Sequence, residues 1–298
     1  MSKSLVIGID IGGTNTKMGL VDRTGKVSEF LSFPTQKSFQ EWLTYIKPII
    51  NHWITNFYIK GIGIGAPNGN HQTQKIENPV NLPWEEVKIV EIFNQEFQLP
   101  THVDNDANLA ALAEKYFGVA QNCQNFFVVT LGTGFGSGIF VHDKVLRGAH
   151  GIGGEAGHMC LYPNGRKCSC GGLGHLEAYV SIRGIEETYF ELNQKKLNVN
   201  EILELWKNRD QSIYSTVQTT AKHFALGLCQ MINLFDPEII IVSGGISHLG
   251  QEFIDMTWKE LHPLLTLSQY RPELIISEPG KNYGAIQGAS ILIYENHH

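Results

Sequence analysis

A strand, a turn rich in Gly and Thr, and a second strand occur twice in this chain. That repetition constrains the fold more than any other feature. Residues 5–10 (LVIGID) are apolar and end in an acid; IGGTNTK follows, then MGLVD. Residues 126–131 (FFVVTL) lead into GTGFGSG and then IFVHD. Two readings are open. Glycine turns are common between strands, so these can be unrelated hairpins. Both turns carry Thr among the Gly, however, and both first strands read as buried, which favours a duplicated unit. A repeat at this spacing predicts two similar domains rather than a solenoid.

The stretches between and after the hairpins alternate. Trp42, Ile46, Ile49, Ile50, Trp53 and Phe57 recur at helical spacing over 39–57, with Pro48 expected to kink the helix. GIGIGAP (61–67) reads as a buried strand and turn, 88–96 as a helix, and THVDND (101–106) as a strand entering the helix 107–117, which Gly118 ends. Further on come a long helix over about 212–234, the strand IIIVSGG (239–245), a helix near 251–264, the strand ELIISE (273–278) and a last helix from about 284. This alternation predicts an α/β fold with parallel sheet. The expected organisation is a small N-terminal α/β domain over 1–118, completed by the C-terminal helix of about 285–298. A larger α/β domain over 119–284 follows, with a cleft between the two.

Bulk properties exclude several classes. The 298 residues suffice for one large or two medium domains. A net charge of −6 argues against general affinity for nucleic acid or an anionic membrane. No apolar run reaches the length of a membrane span, and MSKSLVIGID lacks secretory signal architecture. Five Cys are too few and too clustered for a disulfide framework, which predicts a reducing, cytoplasmic setting. Cys123, Cys160 and Cys229 read as buried small apolar residues.

The first glycine turn lacks the Walker pattern GxxxxGK[ST] and is followed by a strand, so it is no P-loop. Gly12 and Gly13 still permit close backbone approach, and Thr14 and Thr16 offer hydroxyls. Such clusters of N–H and O–H groups suit phosphate oxygens. Asp10, at a strand end, can hold Mg²⁺ through water. Gly132, Thr133 and Gly134 repeat the pattern, and two such turns facing each other would clamp a polyphosphate. Gly244 and Gly245, after a buried strand and before a helix, give a third resting place for a nucleotide. With Lys17, these residues make the candidate nucleotide set.

Asn105 and Asp106 stand where a strand hands over to a helix. Asp104 and Asp106 can serve as helix caps. The same placement suits a general base, because ligands of α/β proteins lie at the carboxyl ends of parallel strands. The helix dipole is expected to keep such a base ionised, ready to accept the proton of a substrate hydroxyl in phosphoryl transfer.

Residues 153–177 (GGEAGHMCLYPNGRKCSCGGLGHLE) hold a third chemistry. His158, Cys168, Cys170 and His175 offer imidazole and thiolate donors at close spacing, a set that can close a tetrahedral Zn²⁺ site. Four protein donors leave no open position, so the metal is read as structural, fixing where Glu155 and Glu177 point. A His presents two ring nitrogens, so His158 can meet metal with one and substrate with the other.

Taken together, these segments resemble the ROK family of sugar kinases within the actin-like (ribonuclease H-like) ATPase superfamily. The resemblance rests on IGIDIGGTNTKMGLVD, GIGIGAPNGN, NPVNLPW, VDNDANLAALAE, VVTLGTGFGSGIF, GGEAGHM, CSCGGLGHLEAYVS, NLFDPEIIIVSGGIS and GAIQGAS, nearly the whole chain. GGEAGH followed by CxCGxxGxxE is specific to that family. The resemblance implies hexose phosphorylation with ATP and Mg²⁺, glucose first, with Asp106 as general base. It implies a sugar site of Asn68, Asn105, Asp106, Glu155, His158 and Glu177, and zinc on His158, Cys168, Cys170 and position 175. It also implies a homodimer. N-acetylmannosamine, fructose or allose as substrate, and polyphosphate as donor, stay open. Two departures stand out: His175 replaces the usual Cys, and Asn68 follows Pro67 where many members have Gly. Regulators of the family carry a helix-turn-helix segment ahead of the first strand. Only four residues precede Leu5 here, so a sugar-sensing repressor without catalysis is the lesser expectation. A zinc-finger module is not expected inside a large α/β protein.

Overall fold

A computed structural model describes residues 4–79, 82–267, 271–277 and 283–295. The chain divides into two compact units. The first comprises the chain up to Asn122, the segment Val145–Gly153 and the C-terminal helix; the second comprises Cys123–Lys144 and the chain from Gly154 onward to the last strand.

The first unit contains β1 (Leu5–Ile11), β2 (Asn15–Val21), β3 (Val27–Pro34), α1 (Phe39–Asn56), β4 (Ile59–Ala66), the short β5 (Gly69–Asn70) and β6 (Lys75–Ile76), α2 (Ile89–Phe97), β7 (Thr101–Asn105) and α3 (Asp106–Phe117). The second contains β8 (Phe126–Leu131), β9 (Phe135–Val141), β10 (Lys144–Val145, its end passing into the first unit), α4 (Glu177–Val180), α5 (Ile182–Asn193), α6 (Val199–Lys207), α7 (Gln211–Phe235), β11 (Ile239–Ser243), α8 (Gln251–Leu261) and β12 (Glu273–Ile276). The C-terminal helix α9 (Gly284–Tyr294) packs on β1, β4 and α3 of the first unit.

Both main sheets are five-stranded, ordered β3-β2-β1-β4-β7 and β10-β9-β8-β11-β12. In chain order within each sheet this is the same arrangement, third-second-first-fourth-fifth. The hairpin pairs β1–β2 and β8–β9 are antiparallel, whereas β1–β4, β4–β7, β8–β11 and β11–β12 are parallel. The duplicated hairpin of the sequence is therefore the start of a duplicated sheet.

Local physics accounts for the elements around the site. Ser38 caps α1 by accepting the Glu41 N–H, and the helix continues past Pro48 to Asn56, burying Trp42, Ile46, Ile50 and Trp53 on one face. The alternating glycines of β4 have a packing reason. A Cβ on Gly63 would lie 1.8 Å from the Ala289 carbonyl oxygen, so only glycine lets α9 sit this close to the sheet. Ser243-Gly244-Gly245 leads into a short 3₁₀ turn over Gly245–Leu249 rather than directly into an α-helix, because Gly250 at φ 77° interrupts the chain before α8. No helix among the described residues is long and apolar enough to cross a membrane.

Candidate active site

β7 runs parallel to β4 and delivers Asn105 and Asp106 to its carboxyl end. Asn105 is the N-cap of α3: its side-chain oxygen accepts the Ala107 N–H at 2.8 Å. Asp106 opens the helix and its Oδ1 also accepts the Ala107 N–H, at 2.9 Å. The capping role thus falls first on Asn105. The helix terminus is not the only influence on Asp106. Burial raises its pKa above the usual carboxylate value, and the Ala107 N–H offsets this only in part.

Asp10 lies one residue from the end of β1, opposite Lys17 on β2 and beside Gly65 on β4. Burial, reinforced by the negative charge of Asp106 and opposed by Lys17, pushes its pKa up to about 7. The structure therefore brings a carboxylate from a strand and one from the first residue of a helix into electrostatic contact at one end of the sheet. Closely placed carboxylates are hard oxygen donors, and Asp10 could hold a divalent cation such as Mg²⁺ here.

The first glycine turn is held by its own backbone, with Gly12 N–H donating to the Asn15 carbonyl at 3.0 Å and Thr35 Oγ1 donating to the Gly12 carbonyl at 2.7 Å. Gly13 and Thr14 are exposed. Thr16 is not: fully buried, its hydroxyl accepts from Trp42 Nε1 at 3.0 Å and meets Thr35 Oγ1 at 3.0 Å. The expectation of a phosphate-binding Thr16 hydroxyl is corrected here, because strand alternation turns this side chain inward to satisfy a buried indole. Asn68 stands exposed at φ 55°, with its side chain donating to the Asn78 carbonyl at 3.3 Å. Left-handed backbone explains why Gly or Asn follows Pro67.

In the second unit β8 and β11 run parallel with Ser243 opposite Thr130, so Gly132-Thr133-Gly134 and Gly244-Gly245 leave the sheet side by side. Ile182 N–H donates to the Gly132 carbonyl at 2.8 Å, and Glu177 Oε2 accepts the Phe135 N–H at 3.1 Å. Glu177, expected only as a sugar ligand, is thereby built against the second glycine turn. Its other oxygen accepts from Ser169 Oγ and faces Cys168 Sγ at 3.4 Å.

The four predicted metal donors converge. One donor atom each from His158, Cys168, Cys170 and His175 lie within 4.8 Å of one another. Cys168 Sγ is 3.8 Å from His158 Nδ1, and Cys170 Sγ is 3.3 Å from His175 Nδ1. Ordinary Zn–N and Zn–S lengths place tetrahedral donors ~3.3–3.8 Å apart, so the residues fit a zinc ion with small adjustment. Burial pushes the Cys168 thiol up to about 11, with Glu177 adding to the rise. Only a cation would make it a thiolate near neutral pH, so metal uptake would release protons. His158 points Nδ1 at Cys168 and Nε2 toward Glu155 Oε2, at 3.9 Å. The two ring nitrogens thus face different neighbours, a thiol and a carboxylate. Cys160 is exposed and Cys123 and Cys229 are partly so, contrary to the expectation of buried thiols. Cys160 pairs with His175 in the surface loop of the metal cluster, where little apolar structure covers it.

Sequence reasoning missed several residues here. Arg147 pairs with Asp104, and Asn70 and Gln72 bind the same segment as Arg147. Arg166 anchors the metal loop, its guanidinium bonded to Glu191, Thr188 and the Ala178 and Gly184 carbonyls. The available signal was a lone arginine inside each Gly-rich stretch, RGAHGIGG and NGRKCSCGG.

Residues 6–296 match the ROK family, and the chain belongs to it. It is 31% identical over 277 residues to a glucokinase of Halalkalibacterium halodurans, covering 85% of this chain and 84% of that protein. It is also 31% identical over 254 residues to the xylose repressor of Bacillus spizizenii, covering 82% of this chain but 65% of the repressor. Among solved structures, a ROK family glucokinase from Streptomyces griseus in complex with glucose and AMPPNP superposes with a TM-score of 0.84 at 27% identity, over 98% of this chain and 99% of that one. The fold is thus the actin-like ATPase fold implied by the doubled sheet order.

Proposed function

We propose that this chain transfers the γ-phosphoryl group of ATP to a hexose, glucose before others, with Asp106 as general base. The observation that carries the reading is the Asp106 carboxylate at the strand end of β7, with a pKa raised by burial. A base works best when its pKa lies near the operating pH, and burial moves a carboxylate in that direction. Support comes from the relatives: a glucokinase aligned over 84% of its length, and a glucokinase structure that holds glucose and an ATP analogue.

In this reading Asn68, Asn105, Glu155, His158 and Glu177 bind and orient the sugar hydroxyls. Asp106 accepts the proton of the attacking hydroxyl as its oxygen bonds to the γ-phosphorus and ADP leaves. Gly12, Gly13, Thr14 and Lys17, with Gly132, Thr133, Gly134, Gly244 and Gly245, receive the nucleotide. Asp10 would hold Mg²⁺, which when bound neutralises phosphate charge. His158, Cys168, Cys170 and His175 would hold a structural Zn²⁺, and the protein works as a homodimer in the cytoplasm.

The test is a coupled assay of ADP release across glucose, N-acetylmannosamine, fructose and allose, with ATP or polyphosphate and Mg²⁺. The expected result is sugar-dependent turnover with the highest kcat/KM for glucose and ATP. Similarity to a xylose repressor supplies the competing outcome. Sugar binding with no ADP released for any sugar would make the chain a sensor rather than a kinase.

A further inference from the structure

Asp104 is 1% exposed, one residue before Asn105 and two before the base. Its Oδ1 accepts the Asn105 N–H at 2.8 Å and Asn108 Nδ2 at 2.9 Å. Its Oδ2 accepts Arg147 Nε at 2.8 Å and Nη2 at 2.7 Å, with His71 Nδ1 at 3.9 Å. Every lone-pair direction that matters is filled, and the turn from Asn105 to Asn108 is laced to a single carboxylate.

Arg147 belongs to Val145–Gly153, which joins the first unit although the chain before and after it joins the second. This segment is a built strap. Gly153 N–H donates to the Arg147 carbonyl at 2.8 Å, closing it on itself. Asn70 Nδ2 donates to the His150 carbonyl at 2.9 Å and Gln72 Nε2 to the Gly148 carbonyl at 2.8 Å. Gly151 sits at φ 77°, and a Cβ there would lie 2.2 Å from Asn70 Oδ1, so the strap fits its seat only with glycine at that point. The chain then reaches Glu155 two residues after the strap ends.

We propose that Arg147 and Asp104 form a positioning pair: Asp104 fixes the turn that aims Asp106, Arg147 supplies its countercharge, and the pair ties that turn to the strap leading to Glu155. This rests on the reading of Asp106 as base. Breaking a buried pair by removing one partner leaves a stranded charge, whereas removing both is far less disruptive.

The experiment compares Arg147→Met, Asp104→Asn, the double variant and the milder Arg147→Lys, which keeps the charge but loses the fork. All are assayed well below their melting temperatures beside wild type and Asp106→Asn. Each single variant is expected to lose ~10–100-fold in kcat, the scale on which small misplacements act. In the double variant kcat should recover most of that loss while the sugar KM stays raised, because the stranded charge is gone but the tie to the strap is not restored. Hydrogen exchange of the amides at 105–108 should quicken in the single variants, a readout that needs no turnover. If wild type proves inactive, exchange alone judges the pair, so failure of the kinase reading and failure of this inference are separable. Single variants with lowered melting temperature but wild-type kcat, KM and amide protection would overturn the proposal and leave the pair a stability feature only.

Discussion

The turn that carries Asp106 and the loop that carries Glu155, His158 and Glu177 are built on opposite principles. The base turn is complete within the protein. Asn105 caps the helix, Asp104 spends its lone pairs on the turn, and Arg147 brings the opposing charge. The metal loop holds converging imidazole and thiol groups that could ligate one cation. Its protein-only supports lie at the edges: Arg166 grips α4 and α5, and Glu177 bonds the Phe135 N–H. The turn in the first unit is therefore preorganised by folding, whereas on the zinc reading the loop in the second unit would depend on metal.

Asp106→Asn probes the preorganised turn and should have the largest effect, ~10²–10⁴-fold in kcat with the fold intact. The Asn105 cap survives the change, so melting should move little; wild-type kcat would reduce Asp106 to a capping partner. The pH profile carries a sign. Burial raises the Asp106 pKa above 3.8, so the base is protonated, and activity lost, at pH values where an ordinary exposed carboxylate would still be ionised. Activity should fall as pH drops through that raised value, with Asp10 at about 7 titrating nearby, so the acid limb reports both groups together.

Cys168→Ala and His175→Ala probe the loop in the second unit. On the zinc reading, elemental analysis of wild type should give about one ion per chain, and each variant should lose it. The sugar KM should rise by ~10–100-fold, the range seen when groups that orient a metal site are removed. The nucleotide KM should rise too, though less, because Glu177 also braces the Phe135 end of the second glycine turn. His175→Cys should keep both metal and activity. A metal-free wild type with full activity would erase the contrast and leave packing around Arg166 as sufficient support.

The division between legible and hidden features follows the same line. The doubled hairpin, the strand-to-helix hand-over at Asn105 and the four metal donors are local in sequence, and each has a chemical signature a reader can find. Arg147 meets Asp104 across the fold, and no spacing rule links the two. Thr16 resembles Thr14 in sequence; only its inward position on β2, beneath Trp42, separates a structural hydroxyl from an exposed one. The burial that raises the Asp106 pKa is hidden in the sequence, whereas the helix terminus beside it is visible.

Asn68 gives the smallest expected effect and the finest test in the first unit, since it can matter for backbone or for substrate. Its φ of 55° is a conformation that glycine also accepts, and its side-chain bond to the Asn78 carbonyl is exposed and long at 3.3 Å. Asn68→Gly should therefore leave stability within about 1 kcal/mol, since glycine meets no strain where φ is positive. If the amide meets a sugar hydroxyl, the glucose KM should rise ~2–10-fold, the value of one ordinary hydrogen bond. The nucleotide KM should stay fixed. Calorimetric melting and sugar titration on this single variant separate the two roles. An unchanged glucose KM would assign Asn68 to the turn alone and remove it from the proposed sugar site.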